Sequence, residues 1–115
     1  MNFEIKGTTA LVFKSTMETP EFFKSFELIY PQIKPFNIII LVADSNVKDV
    51  VYIDRIKEAS KAHQKLKRSF VLVCSQNTAT AFSDTLIVVP TLKEAYDFIE
   101  MDEIQRDLGF LNKIN

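Results

Sequence analysis

IIILVADSNVKDVVYIDRIKEASKAHQKLKRSFVLV, residues 38–73, reads in succession as strand, loop, helix and strand. Residues 38–42 are an unbroken run of Ile, Leu and Val, apolar on both faces, as a central strand covered by helices on each side requires. Asp44-Ser45-Asn46 supplies a loop and a possible cap, and the helix that follows is expected over residues 49–67. Its apolar stripe is Tyr52, Ile56, Ala59, His63 and Leu66, at steps of three and four. Lys57, Lys61, Lys65 and Arg68 take the other side, and residues 70–74 form a second buried strand.

Toward the N-terminus, Phe3 and Ile5 alternate with polar neighbours, Lys6-Gly7 makes a turn, and residues 10–13 resume an extended apolar segment, so the chain opens with a hairpin. Thr19-Pro20-Glu21 starts a helix with Thr as cap, Pro in the first turn and an acid at the positive dipole end. Phe22, Phe26 and Ile29 share one face of it, and Pro31 with Pro35 is expected to stop it. Beyond residue 74 a polar stretch with a short helical turn near Thr80 leads to a last strand at residues 86–89. Thr91-Leu92-Lys93-Glu94 matches a capping box for a helix carrying Leu92, Ala95, Tyr96 and Ile99. The apolar phase then shifts to Met101, Ile104 and Leu108, which predicts a kink or a second short helix capped by Gly109; Met101, Ile104, Leu108, Phe110 and Leu111 are expected to pack on the core or as a lid, the alternative being a docking stripe. The result is an α/β fold: a mixed, mostly parallel sheet of about five strands, an N-terminal hairpin and right-handed crossovers. Residues 1–115 make one domain, with 101–111 an acidic helical extension at its C-terminal end.

Composition excludes much familiar chemistry. One Cys, Cys74, cannot make an internal disulfide, and with one His it cannot supply a His/Cys zinc site. Gly7 and Gly109 are the only glycines, too few for a glycine-rich phosphate loop. The net charge of −1 gives no general attraction to nucleic acid or membrane. No basic stretch followed by an apolar run opens the chain, and residues 38–43, the longest apolar run, fall far short of the roughly 20 a membrane helix needs. The expected location is therefore the cytoplasm, with no metal and no cofactor.

The strand and helix order, with residues 40–73 at its centre, resembles the STAS domain, the fold of bacterial anti-sigma-factor antagonists. In that family a helix following the third strand begins Asp-Ser-Ser-Gly, and a partner kinase phosphorylates a Ser there. Aligned without gaps from Phe70-Val71-Leu72-Val73, Asp49 falls on the family's Asp and Val50 and Val51 on its serines. Set instead on Ile53-Asp54, the serine positions become Arg55 and Ile56. Neither register leaves a hydroxyl to phosphorylate. The C-terminal half, through residues 67–73, 88–95 and 99–110, is similar to a group of short stand-alone bacterial STAS-like proteins, some of which carry the name ribonuclease Z. That nuclease holds two zinc ions with an H-x-H-x-D-H motif and further His ligands. A chain whose only His is His63 cannot be that enzyme, so the name implies at most an association with one.

The resemblance implies a non-catalytic interaction and signalling module with a protein partner, a kinase or another regulatory protein, bound constitutively because the phosphoacceptor is missing. The candidate partner surface is the loop and helix start: Asp44, Ser45, Asn46, Lys48, Asp49 and Asp54. Two alternatives stand beside it. One is an accessory protein of an RNA-processing enzyme; the other is a nucleotide or small-ligand sensor using Asp44, Ser75 and Thr91 at the C-terminal edge of the sheet. His63 reads as a packing histidine on an apolar stripe, Cys74 as a buried small hydrophobe, and the lysines of residues 57–68 as a solvated face.

Overall fold

The computed structural model describes residues 2–14, 19–42, 50–74 and 86–114. Five strands form one sheet: β1 (Phe3–Lys6), β2 (Thr9–Lys14), β3 (Asn37–Val42), β4 (Phe70–Val73) and β5 (Ile87–Val89). Helices α1 (Thr19–Ile33), α2 (Val50–Gln64) and α3 (Leu92–Ile114) are the other elements among the described residues. The spatial order is β1-β2-β3-β4-β5, with β1 antiparallel to β2 and every later pair parallel. The expected mixed, mostly parallel sheet is what forms.

The opening hairpin turns at Gly7-Thr8, between the paired Lys6 and Thr9. Gly7 has φ +59°, the positive value that the first central position of a type II′ turn demands and that glycine reaches without a Cβ clash. Charged Glu4 and Lys6 sit on exposed β1, and at the other edge β5 has only three residues; both devices discourage edge-to-edge pairing.

Because β2, β3 and β4 step the same way across the sheet, right-handed crossovers put α1 and α2 on one face. Strand alternation shows it. Ala10, Val12, Ile38, Ile40, Val42, Phe70 and Leu72 pack with Phe22, Phe23, Phe26 and Ile33 of α1 and Ile56 of α2. Their neighbours Leu11, Ile39, Val71 and Val73 point the other way, to Ala95 and Ile99 of α3. A helix layer on each face is the reason the run at residues 38–42 is apolar throughout.

Several boundaries differ from the sequence reading. Pro31 does not end α1, which runs on to Ile33. Pro31 is exposed, so the carbonyl it leaves unpaired can meet water, while fully buried Ile33 anchors the last turn in the core. Helix α2 ends at Gln64, and Lys67 adopts φ 60° in the turn that follows. Leu66 therefore lies beyond the helix and is exposed rather than on its buried stripe. Helix α3 is one continuous element through Met101 and Gly109, with neither a kink-forming break nor a Gly109 cap. No proline interrupts residues 91–115, so every backbone donor is present. None of the described helices is long and apolar enough to cross a membrane.

Candidate functional site

Helix α1 has aromatic residues at adjacent, third and fourth positions, so they wind partly onto the core and partly toward α2. Phe22 meets Phe23 edge-on at 5.3 Å and stacks on Phe26 at 6.1 Å; Phe26 in turn lies 5.7 Å from Tyr30. The ladder crosses to α2 at His63, 5.6 Å from Tyr30, and ends on Phe70 of β4, 6.2 Å from His63. Opposite it, α2 contributes small side chains, Ala59 and Ala62, and the mismatch in size leaves a groove of about 470 Å³. Phe23, Phe26 and Tyr30 line one wall, and Glu27, Arg55 and Glu58 provide charges around it. The Arg55 guanidinium lies over the Phe23 ring, 5.4 Å from its centre, which holds a cation beside the apolar wall.

His63 sits beneath this groove, fully buried. Its Nε2 donates to the Phe36 carbonyl at 2.7 Å, and a carbonyl can only accept, so Nε2 carries the hydrogen. Nδ1 is then the acceptor for the Tyr30 hydroxyl at 2.8 Å. Burial pushes the His63 pKa below the ordinary value and the Arg68 charge adds to this, against the opposing effect of the Phe36 carbonyl. Both ring nitrogens are occupied and no solvent reaches them. His63 ties α1, α2 and the segment before β3 together, and has no free nitrogen for acid–base work.

The opposite face of the sheet carries a second polar constellation, at the N-terminal ends of β3 and β4. Asn37 Oδ1 accepts from the Ser69 backbone N–H at 2.8 Å and from Arg106 Nη2 at 3.3 Å. Arg106 Nη1 donates to Ser69 Oγ at 3.0 Å and to Asp102 Oδ2 at 2.7 Å, and the Ser69 hydroxyl donates to that same carboxylate oxygen. Glu103 accepts from the Thr8 hydroxyl at 3.3 Å. Asn37 and Ser69 are buried, so the network satisfies groups that would otherwise be costly to enclose, and it latches α3 to the sheet.

Of the residues singled out from the sequence, Asp54 is exposed on α2, one position before Arg55 of the groove. Val50 and Val51 open α2. Asp44, Ser45, Asn46, Lys48, Asp49, Ser75 and the turn near Thr80 lie outside the described residues. Thr91 caps α3, its Oγ accepting from the Glu94 N–H at 3.2 Å, as the capping box predicts. Cys74 is buried in the core on the α1–α2 side. Lys61, Lys65 and Arg68 are exposed, and Arg68 donates to the Pro35 carbonyl at 2.8 Å. Met101, Ile104 and Leu108 do not pack on the core: they are 62%, 53% and 53% exposed. At this end of α3 the inward positions are held by Asp102 and Arg106, so the apolar residues are turned out. Among the described residues, no three His, Cys, Asp or Glu side chains gather as a metal site.

The sequence reading did not find the groove. Its signal was the Phe22-Phe23 doublet: adjacent helical residues lie about 100° apart, so the pair widens the apolar face of α1 beyond the stripe of Phe22, Phe26 and Ile29.

No protein-family model matches the chain, and no curated protein matches it. Among solved structures it is similar to the protein TM1081, determined by NMR, with a TM-score of 0.66 and 14% identity, over 85% of this chain and 86% of that one. At that identity the likeness is one of fold.

Proposed function

We propose that this chain is a non-catalytic protein-interaction module of the STAS, anti-sigma-factor-antagonist-like type, which binds a regulatory protein partner without a phosphoserine switch. The observation that carries the reading is the groove between α1 and α2. It offers aromatic walls, two small alanines and an Arg stacked on Phe23, the residue types that concentrate binding energy in protein interfaces. Asp54, which precedes the groove's Arg55 in the chain, lies within the stretch where the STAS-like family meets its kinases. Val50 and Val51, at the family's serine positions, offer no phosphoacceptor, so the module binds its partner constitutively.

A second reading is a small-ligand sensor, favoured by the groove's volume, which falls in the range of small-molecule sites. One comparison separates the two. Ala62 is exposed and lines the groove, so Ala62→Arg fills it without disturbing the core. Affinity purification from the native organism should recover a partner with the wild-type chain and lose it with Ala62→Arg. The sensor reading requires instead a metabolite that raises the melting temperature of the wild type and not of the variant.

A further inference from the structure

Helix α3 buries one side and leaves an apolar seam on the other. At about 100° per residue, Met101, Ile104 and Leu108 fall within one narrow arc, opposite the face that carries Ala95, Ile99 and Arg106. Their spacing of three and four is that of an a/d seam, the pattern by which one helix receives another. The border of the seam is mostly acidic. Residues 94–108 contain six acids and one base, Arg106, and that base is turned inward onto Asp102. Glu94 and Asp97 continue the seam toward the helix N-terminus, and Glu100 and Asp107 line one side of it, with Lys93 a heptad before Glu100 on the same row; all five are exposed.

We infer that this face docks an amphipathic helix of another protein, one whose apolar stripe is bordered by Lys and Arg. Charge complementarity selects that occupant. A second copy in antiparallel register would set Glu100 against Asp107 of its neighbour, like charge against like. An anionic membrane or a nucleic acid would be repelled by the same acids. The surface lies across the sheet from the α1–α2 groove and does not depend on that groove's role. It would let the module hold two proteins at once.

The probe is a synthetic three-heptad helical peptide with Leu at its core positions and Lys at the flanking ones, labelled for fluorescence anisotropy; a twin peptide carries Glu in place of Lys. The Lys peptide should bind the full chain, with chemical-shift changes confined to residues of α3, and the Glu peptide should not. Ile104→Asp and the double variant Glu100→Lys/Asp107→Lys change exposed residues only, so the fold, checked by thermal melting, is kept. Each should weaken binding by about tenfold or more, while Ala62→Arg should leave it unchanged. Equal binding of both peptides, or binding indifferent to Ile104→Asp, would overturn the assignment. So would a wild-type dimer in analytical ultracentrifugation that Ile104→Asp splits, since the seam would then belong to a second copy.

Discussion

Tyr30 donates its hydroxyl hydrogen to Nδ1 of His63 at 2.8 Å, a bond that fastens α1 to α2 beneath the groove. With Nε2 committed to the Phe36 carbonyl, the imidazole is held neutral and in one tautomer. Protonating Nδ1 would replace an acceptor with a donor facing the Tyr30 hydrogen, inside a site that water does not reach.

Stability depends on pH through His63. The folded-state pKa of His63 lies below its unfolded value, so the unfolded chain binds the extra proton and stability rises with pH. His63's contribution is complete above about pH 6.5 and is lost progressively as pH falls below that value. Urea unfolding between pH 7.5 and 5 should show the decline. His63→Phe should flatten it; an unchanged slope in that variant would place the titration elsewhere.

Removing the hydroxyl tests the same bond at constant pH. Tyr30→Phe leaves a buried imidazole nitrogen without its donor and should cost about 1–3 kcal/mol in chemical denaturation. A loss within about 0.5 kcal/mol, the level of a neutral surface substitution, would mean the bond contributes nothing.

On the far face, Asn37→Ala strands the buried Ser69 N–H and frees one side of Arg106. The expected cost is about 1–3 kcal/mol, with faster amide exchange in the middle of α3 than in α1. Uniform exchange across the helices would contradict the latch.

Lys67 holds a left-handed backbone, φ 60°, in the turn after α2. A side chain there costs about 1–2 kcal/mol that glycine avoids, partly offset by glycine's greater unfolded-state entropy. Lys67→Gly should therefore raise stability by up to about 1 kcal/mol, read as a higher denaturation midpoint; a lower midpoint would show that the lysine side chain is needed.

The sheet was readable because its strands are short apolar runs with a helix layer on each side, a pattern local enough to survive in sequence. The Gly7 turn and the Thr91 cap were readable for the same reason: each depends on a residue's own chemistry. Contacts between distant segments were not. Tyr30 with His63, and Asn37 with Ser69 and Arg106, join residues more than 30 positions apart, and nothing in local spacing pairs them. Helix α3 misled for a different reason. It carries Ala95 and Ile99 on one side and Met101, Ile104 and Leu108 on the other, and periodicity alone cannot say which stripe faces the sheet. The polar pair Asp102–Arg106, satisfied only against Ser69 and Asn37, decided it.

The proposed role of the α1–α2 groove as a protein-binding site is open to direct capture. A photo-reactive benzophenone amino acid placed at Ala62, within the groove, can be compared in the native organism with the same group at exposed Lys6 on β1. A discrete protein adduct is expected on irradiation from position 62 and not from position 6. Unlinked chain at position 62, or the same adducts from both positions, would contradict it.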